Sequence, residues 1–271
     1  LQRSATLSVS LGDIVVADNK IYQCDVAGTT GSVAPSGIPG TVRNSMFTTR
    51  IADGSASWVF VCSIGMTWMV MDSNCYSMSA SDCELISGAI GFLQTDTANT
   101  GGSHPKWFNS FNLEIDHPYS DCVRLEKGQT FQGTEGWWGS SLTGNGLWQK
   151  STHRGDVLVG EGSRIFGNWF HGVLNEGPST KIKAATIAGN SQVADSQCHG
   201  VLASATSRGL IVSNSHIGRD PDGSGRQLNG VRCAAGSDEW IVHDNNLLGN
   251  AGSSFVGTTS ATCLEHNNLK T

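Results

Sequence analysis

The sequence predicts an all-β protein: a right-handed parallel β-helix (solenoid) with a small N-terminal antiparallel β module. Three observations carry this. First, residues 199 to 250 hold two units that can be laid over each other. His199-Gly200-Val201-Leu202, Leu210-Ile211-Val212-Ser213-Asn214 and His216-Ile217-Gly218 match Asn229-Gly230-Val231-Arg232, Trp240-Ile241-Val242-His243-Asp244 and Leu247-Leu248-Gly249-Asn250. Second, a glycine or aspartate followed by an apolar residue recurs at Gly91-Phe92, Asp121-Cys122, Gly146-Leu147, Gly172-Val173, Gly200-Val201 and Gly230-Val231, at spacings of 30, 25, 26, 28 and 30. Third, the 271 residues include 34 glycines, and runs of Ala, Leu, Glu and Lys at helical spacing are nearly absent. Repeats of 20 to 50 residues mark solenoids or propellers.

Composition narrows the function classes. The formal net charge is -6 and no Lys/Arg cluster occurs, which argues against a nucleic-acid partner. The most apolar window, Trp58 to Met71, is interrupted by Ser63, Gly65 and Thr67 and is too short to span a membrane. No positive region followed by an apolar stretch marks a signal peptide near Leu1, so the start reads as a processed end or a segment of a longer chain. The eight cysteines show no CxxC pair with metal spacing, and several lie in apolar strand-like runs. They read as mostly free, buried thiols, with Cys24 and Cys62 the one pair worth testing for a disulfide.

Taken in order, residues 1–62 form the small β module. Gly12 to Val16 is a strand, Asp18-Asn19-Lys20 a turn, and Ile21 to Cys24 the returning strand. Residues 27 to 40 are a Gly/Thr/Ser/Pro loop, and Asp53-Gly54 turns the chain into Ser57-Trp58-Val59-Phe60-Val61. Tyr22 and Trp58 read as the module's own core more readily than as sugar platforms, because aromatics supply most of a small core's buried area.

Residues 63–271 form the β-helix, of about six coils. Each unit holds about three short apolar runs separated by Gly, Asn and Ser, and no tryptophan-aspartate blade signature occurs. A coil cannot bury its apolar face alone, so stacking makes the core. A second signature closes the units at Ile165-Phe166-Gly167-Asn168, Ile187-Ala188-Gly189-Asn190, Ile217-Gly218 and Leu247-Leu248-Gly249-Asn250. Its Gly-Asn turns suit left-handed backbone angles. Residues 95–105 read as a long loop and Gly136-Trp137-Trp138-Gly139 as an excursion. The end at Asn267 to Thr271 shows no obvious cap, so a further domain, a partner chain or self-association is expected to cover it.

Two resemblances add to this reading. GDIVVADNKIYQC, AGTTGS, a proline loop and ADGSASWVFV follow one another as in the small β modules of bacteriophage tail and spike proteins, whose signature runs G-x-x-V…Y-x-C…AGTSG…P…DGTVTW. That likeness covers about fifty residues and implies a virion component. The larger part resembles the pectate-lyase-like β-helices of phage tailspikes and carbohydrate-active enzymes, on the strength of its coil pattern. This implies a homo-oligomer, a trimer, that contacts other virion proteins through the N-terminal module and binds a bacterial surface glycan. It implies assembly in the host cytoplasm and action at the outside of the host cell.

The candidate site residues follow. Glycoside hydrolysis needs two carboxylates at a set separation, and Glu161, Asp195 and Asp222 in inter-strand loops are weak catalytic candidates, read more readily as solvated loop groups. Trp107, Trp137, Trp138 and Trp169 (with Trp148 beside them) are candidates for glycan contact or for subunit contact. Asn145, His171, His199 and Asn229 each precede a coil-opening glycine and should stack in one polar column. That column reads as a hydrogen-bonded ladder, or as a histidine pair for a metal or for acid–base work. Asp220 to Gly225 partly matches a calcium loop, but Val231 stands where its twelfth-position Glu belongs and two arginines flank it, so an exposed turn is the plainer reading. No metal or cofactor is expected. The function expected is receptor binding by a tailspike-like virion protein; the alternatives are a polysaccharide depolymerase (lyase or glycoside hydrolase) and a purely structural decoration or adaptor protein.

Overall fold

A computed structural model describes residues 6–17, 20–32, 50–63, 67–73, 75–97, 107–192, 198–219, 227–258 and 261–270. Among these residues every regular element is a β-strand. The chain divides into two compact units, Leu1–Met66 with Ser87–Ala89, and Thr67–Ile86 with Ile90–Thr271.

The first unit is antiparallel. Ile14–Ala17 pairs Lys20–Val26, which pairs Ala56–Ser63, which pairs Arg50–Asp53. Its core is Val9, Val15, Tyr22, Cys24, Ala56 and Trp58. Tyr22 and Trp58 are fully buried, so neither presents a ring to a sugar. The Trp58 indole donates to the Asp53 carboxylate (3.0 Å), which also accepts the Gly31 N–H (2.7 Å). The turn at Asp53-Gly54 needs its glycine, which has φ +69° and no room for a Cβ against the Thr29 carbonyl. Cys24 lies opposite Trp58, and Cys62 lies opposite Ile21. The Cys24 thiol is free and points to the Val26 carbonyl (3.2 Å), so the pair with Cys62 is not made.

The second unit is a parallel β-solenoid of about seven turns, one more than the glycine spacing marks. The additional turn begins at Thr67–Met71, which lacks a glycine opening yet pairs Ile90–Gln94 in register. Each full turn visits three faces. Face A is an eight-stranded parallel sheet whose inward positions stack as Phe92, Val123, Leu147, Val173, Val201, Val231 and Phe255. Faces B and C are the two arms of a twelve-stranded sheet. They are joined because Ser77–Ile86 and Trp107–Asp116 run unbroken across the corner.

That corner is made by left-handed residues: Asp82 (φ 52°), Asn112 (φ 50°), Glu135 (φ 51°), Ala184 (φ 53°), Asn214 (φ 50°), Asp244 (φ 56°) and Asn267 (φ 53°). One turn is a residue longer there and uses Gly162 (φ 74°). After the corner, face C stacks Ile115, Trp138, Ile165, Ile187 and Ile217 inside the solenoid. On face B, Phe108 and Phe131 stack at 5.5 Å, and Phe92 lies 4.0 Å from Phe108.

The segment 136–139 is therefore not an excursion. Trp137–Gly139 is a face C strand, and period-two alternation sends its two indoles to opposite sides. Trp138 is fully buried; Trp137 is outside.

The repeat alignment also shifts at one place. Phe92 pairs Val123, so Cys122 occupies the coil-opening glycine position and Asp121 the place before it. The pairings Val201 with Val231 and Ile211 with Ile241 are those the repeat predicts.

Buried polar groups are paired by columns along the solenoid. Asn168 donates to Asn190 (2.8 Å), Asn190 to Gln227 (2.9 Å) and Gln227 to Asn250 (3.0 Å). His153, fully buried, bridges Gln94 (3.0 Å) and Gln149 (3.2 Å). Cys24, Cys75, Cys83, Cys122, Cys198, Cys233 and Cys263 are free thiols. Burial pushes Cys233 up to about 12 and raises Cys122 and Cys198, which keeps these thiols protonated and inert.

Candidate functional site

The outward side of face B in the first turns carries the most distinctive chemistry on the solenoid. Alternation along Trp107–Asp116 buries Phe108 and Ser110 and turns Trp107, Asn109 and Phe111 outward. Trp107 is 54% exposed and Phe111 46%. Positions four apart on a strand lie roughly 13 Å from each other. Strand pairing surrounds this row. Ser77, Ser79 and Ser81 flank it on one side, register-paired with Trp107, Asn109 and Phe111. Thr130, Gln132 and Thr134 flank it on the other.

The result is a three-by-three lattice of Ser77–Trp107–Thr130, Ser79–Asn109–Gln132 and Ser81–Phe111–Thr134. None of the nine side chains is charged. Two half-exposed aromatic rings flank a pair of amides, and five hydroxyls border them. Such a surface offers stacking planes with neutral donors and acceptors between them, the pairing that a sugar chain presents in complement.

The other tryptophans are dispersed. Trp137 is on face C, where its ring meets Phe166 edge-on (4.4 Å) and Arg164 lies 5.7 Å from the ring centre. Trp169 is in the turn after face C, exposed, its backbone N–H donating to the Ser141 carbonyl (3.0 Å). Trp138 belongs to the core, and burial removes it from the set of possible glycan contacts. Trp148 faces outward on face A, with the Lys150 ammonium 4.8 Å and the Arg124 guanidinium 5.4 Å from its ring.

Asn145, His171, His199 and Asn229 stand in one column at the entry to face A, and Asp121 heads it. Asp121 accepts the Asn145 N–H (2.8 Å), Asn145 the His171 N–H (3.1 Å), and His171 Nδ1 the His199 N–H (2.9 Å). His199 Nδ1 then meets the Asn229 amide (3.0 Å), and Asn229 accepts the Ser253 N–H (3.1 Å). The two imidazoles stack at 5.4 Å. Burial lowers His171 to about 4 and His199 to about 3, so both rings are neutral near pH 7. Each Nδ1 is occupied as an acceptor, so neither ring offers that nitrogen to a metal. Among the described residues no group of three or more His, Cys, Asp or Glu is placed to hold a metal ion.

Glu161 is exposed at the corner between faces B and C. Asp195 and Asp222, with the whole Asp220 to Gly225 segment, lie outside the described residues. The carboxylates that strand pairing does bring side by side are Glu84 and Glu114, which the linear sequence does not signal as partners. They follow the Asp82/Asn112 corner on face C, where Asn112 donates to Asp82 (2.8 Å), and Trp137 is next in the same row. Among the described residues no helix is long and apolar enough to cross a membrane. The chain matches no protein-family model, no curated protein and no solved structure.

Proposed function

We propose that the protein is a glycan-binding spike subunit that adheres to a bacterial surface polysaccharide through face B of its first turns. The observation that carries this reading is the Trp107–Asn109–Phe111 row set between uncharged hydroxyl and amide side chains. Half-exposed aromatics are costly in water unless something stacks on them, and a sugar ring is a fitting partner. The resemblance of the N-terminal motifs to phage tail modules adds the setting: a virion, with the module attached to other virion proteins and the solenoid in a homotrimer.

Incubation of the purified protein with host surface polysaccharide tests this. Co-sedimentation with the polymer, without any decrease in polymer length, is the expected result. Absence of binding to any cell surface, with contacts only to virion proteins, would instead favour a structural subunit.

A cleaving enzyme is the second reading, and Glu84 beside Glu114 favours it. Register pairing sets the two residues on adjacent strands, roughly 4.8 Å apart at the backbone, and a pair of carboxyl groups is what glycoside hydrolysis employs. Release of reducing ends that is lost in Glu114→Gln would establish that reading over simple adhesion.

A further inference from the structure

A separate hollow of about 260 Å³ lies on face A, lined by Asp121, Arg124, Trp148, Phe170, His171 and Leu174 among others. Strand register builds it. Arg124, Trp148 and Leu174 are successive outward residues on three paired strands. Phe170 and His171 border it from the turn that leads into the third of these strands.

Its polar groups are unbalanced toward donors. His171 Nδ1 is filled by the His199 N–H (2.9 Å), so the neutral ring carries its proton on Nε2. Arg124 uses Nε and Nη2 on Asp121 (2.7 and 2.6 Å) and Nη2 again on Ser120 (2.6 Å), which leaves Nη1 uncommitted among the described residues. Among the described residues the buried Trp148 indole N–H also has no acceptor. The acceptors nearby are already engaged. Asp121 takes Arg124 and the Asn145 amide (2.9 Å), and Asn145 Oδ1 takes the His171 N–H (3.1 Å).

The walls supplied by Phe170, Leu174 and the indole are apolar, and the volume falls below the roughly 300–1,000 Å³ of larger ligand pockets. A single ring bearing acceptor oxygens fits both size and chemistry. A carboxylate would face a guanidinium that Asp121, Ser120 and the Trp148 ring already hold in place, so little side-chain freedom is lost on binding.

We propose that this hollow is a second site, distinct from the Trp107–Phe111 face, that binds one carboxylate-bearing sugar ring. Calorimetric titration of the full chain with glucuronate, glucose and acetate tests it. Glucuronate should bind about tenfold or more tightly than either control, the scale of one charge-assisted hydrogen bond. Arg124→Lys, which keeps the charge and loses the planar fork, and Phe170→Ala, which removes a half-exposed wall, should each weaken glucuronate binding. Trp107→Ala should leave it unchanged, so failure of the face B reading does not touch this one. The proposal is overturned if glucose binds as well as glucuronate, if acetate does (an anion site without ring recognition), if no ligand binds, or if the well-folded Phe170→Ala variant binds as tightly as the parent.

Discussion

Gly200 lies so close to Ile217 that a Cβ on the glycine would stand 2.4 Å from the isoleucine Cγ2. The same contact recurs between Gly172 and Ile187 (2.4 Å) and between Gly146 and Ile165 (2.2 Å). The glycine that opens a coil and the branched residue that closes face C are thus one packing unit. Gly200→Ala should lower stability by roughly 1–3 kcal/mol, the usual cost of overpacking. Ile217→Leu, which moves the branch off Cβ, should recover part of that loss in the double variant. Denaturant midpoints of the four proteins measure the coupling, and simple additivity would contradict it.

The face B lattice predicts a separation of binding from stability. Trp107→Ala and Phe111→Ala each remove a half-exposed ring, so thermal midpoints should stay close to the parent value. Polysaccharide binding should fall by about fivefold or more for each, since truncating an aromatic anchor of a binding surface costs more than about 1 kcal/mol. Asn109→Ala should weaken binding less. Equal loss of melting temperature and binding would mark these residues as structural.

The amide column predicts the reverse. Asn190 is fully buried and joins Asn168 to Gln227. Asn190→Leu leaves both neighbours with buried, unsatisfied groups, each costing about 1–3 kcal/mol. A fall in stability of a few kcal/mol by urea unfolding is the expected result. A near-neutral effect would mean that water replaces the lost amide.

Acid sensitivity should begin above the usual carboxylate range. Burial lowers His153 and His171 to about 4 and His199 to about 3, against about 6.5 in an unfolded chain. Between those values the unfolded state binds more protons than the folded state, so stability falls as pH falls from about 6.5 toward 4. Asp72 acts lower: hydrogen bonds from Thr97 and Ser73 hold it at about 2, so its contribution is lost only below about pH 4. Urea midpoints at pH 7 and pH 5 should therefore differ. The difference should shrink in His171→Asn, which keeps an acceptor for the His199 N–H as Asn145 does for His171.

The solenoid was legible in the sequence because its inward positions repeat in type. Val201 with Val231 and Ile211 with Ile241 need only similar side chains at similar intervals to be aligned. At Cys122 that signal fails: a small buried thiol takes the glycine place, so the aligned register is off by one and Asp121 drops out of its column. The burial of Trp138 is hidden because two adjacent tryptophans between glycines look like an exposed loop. Its alignment one turn before Ile165 was the available clue. The face B lattice was not legible, since Ser79, Asn109 and Gln132 are far apart in the chain and become neighbours only through pairing. Glu84 and Glu114 are hidden for the same reason.

Two of the polar columns of the solenoid point in opposite senses. At the entry to face A the acceptor belongs to the earlier turn and the donor to the later one, as from His171 to Asn145. In the asparagine column the donor is the earlier residue, as from Asn168 to Asn190. Their electric moments oppose each other along the solenoid axis, unlike the aligned peptide dipoles of an α-helix. An added turn that extends both columns therefore adds little axial moment from them. These two columns thus set no electrostatic limit of their own on the number of turns.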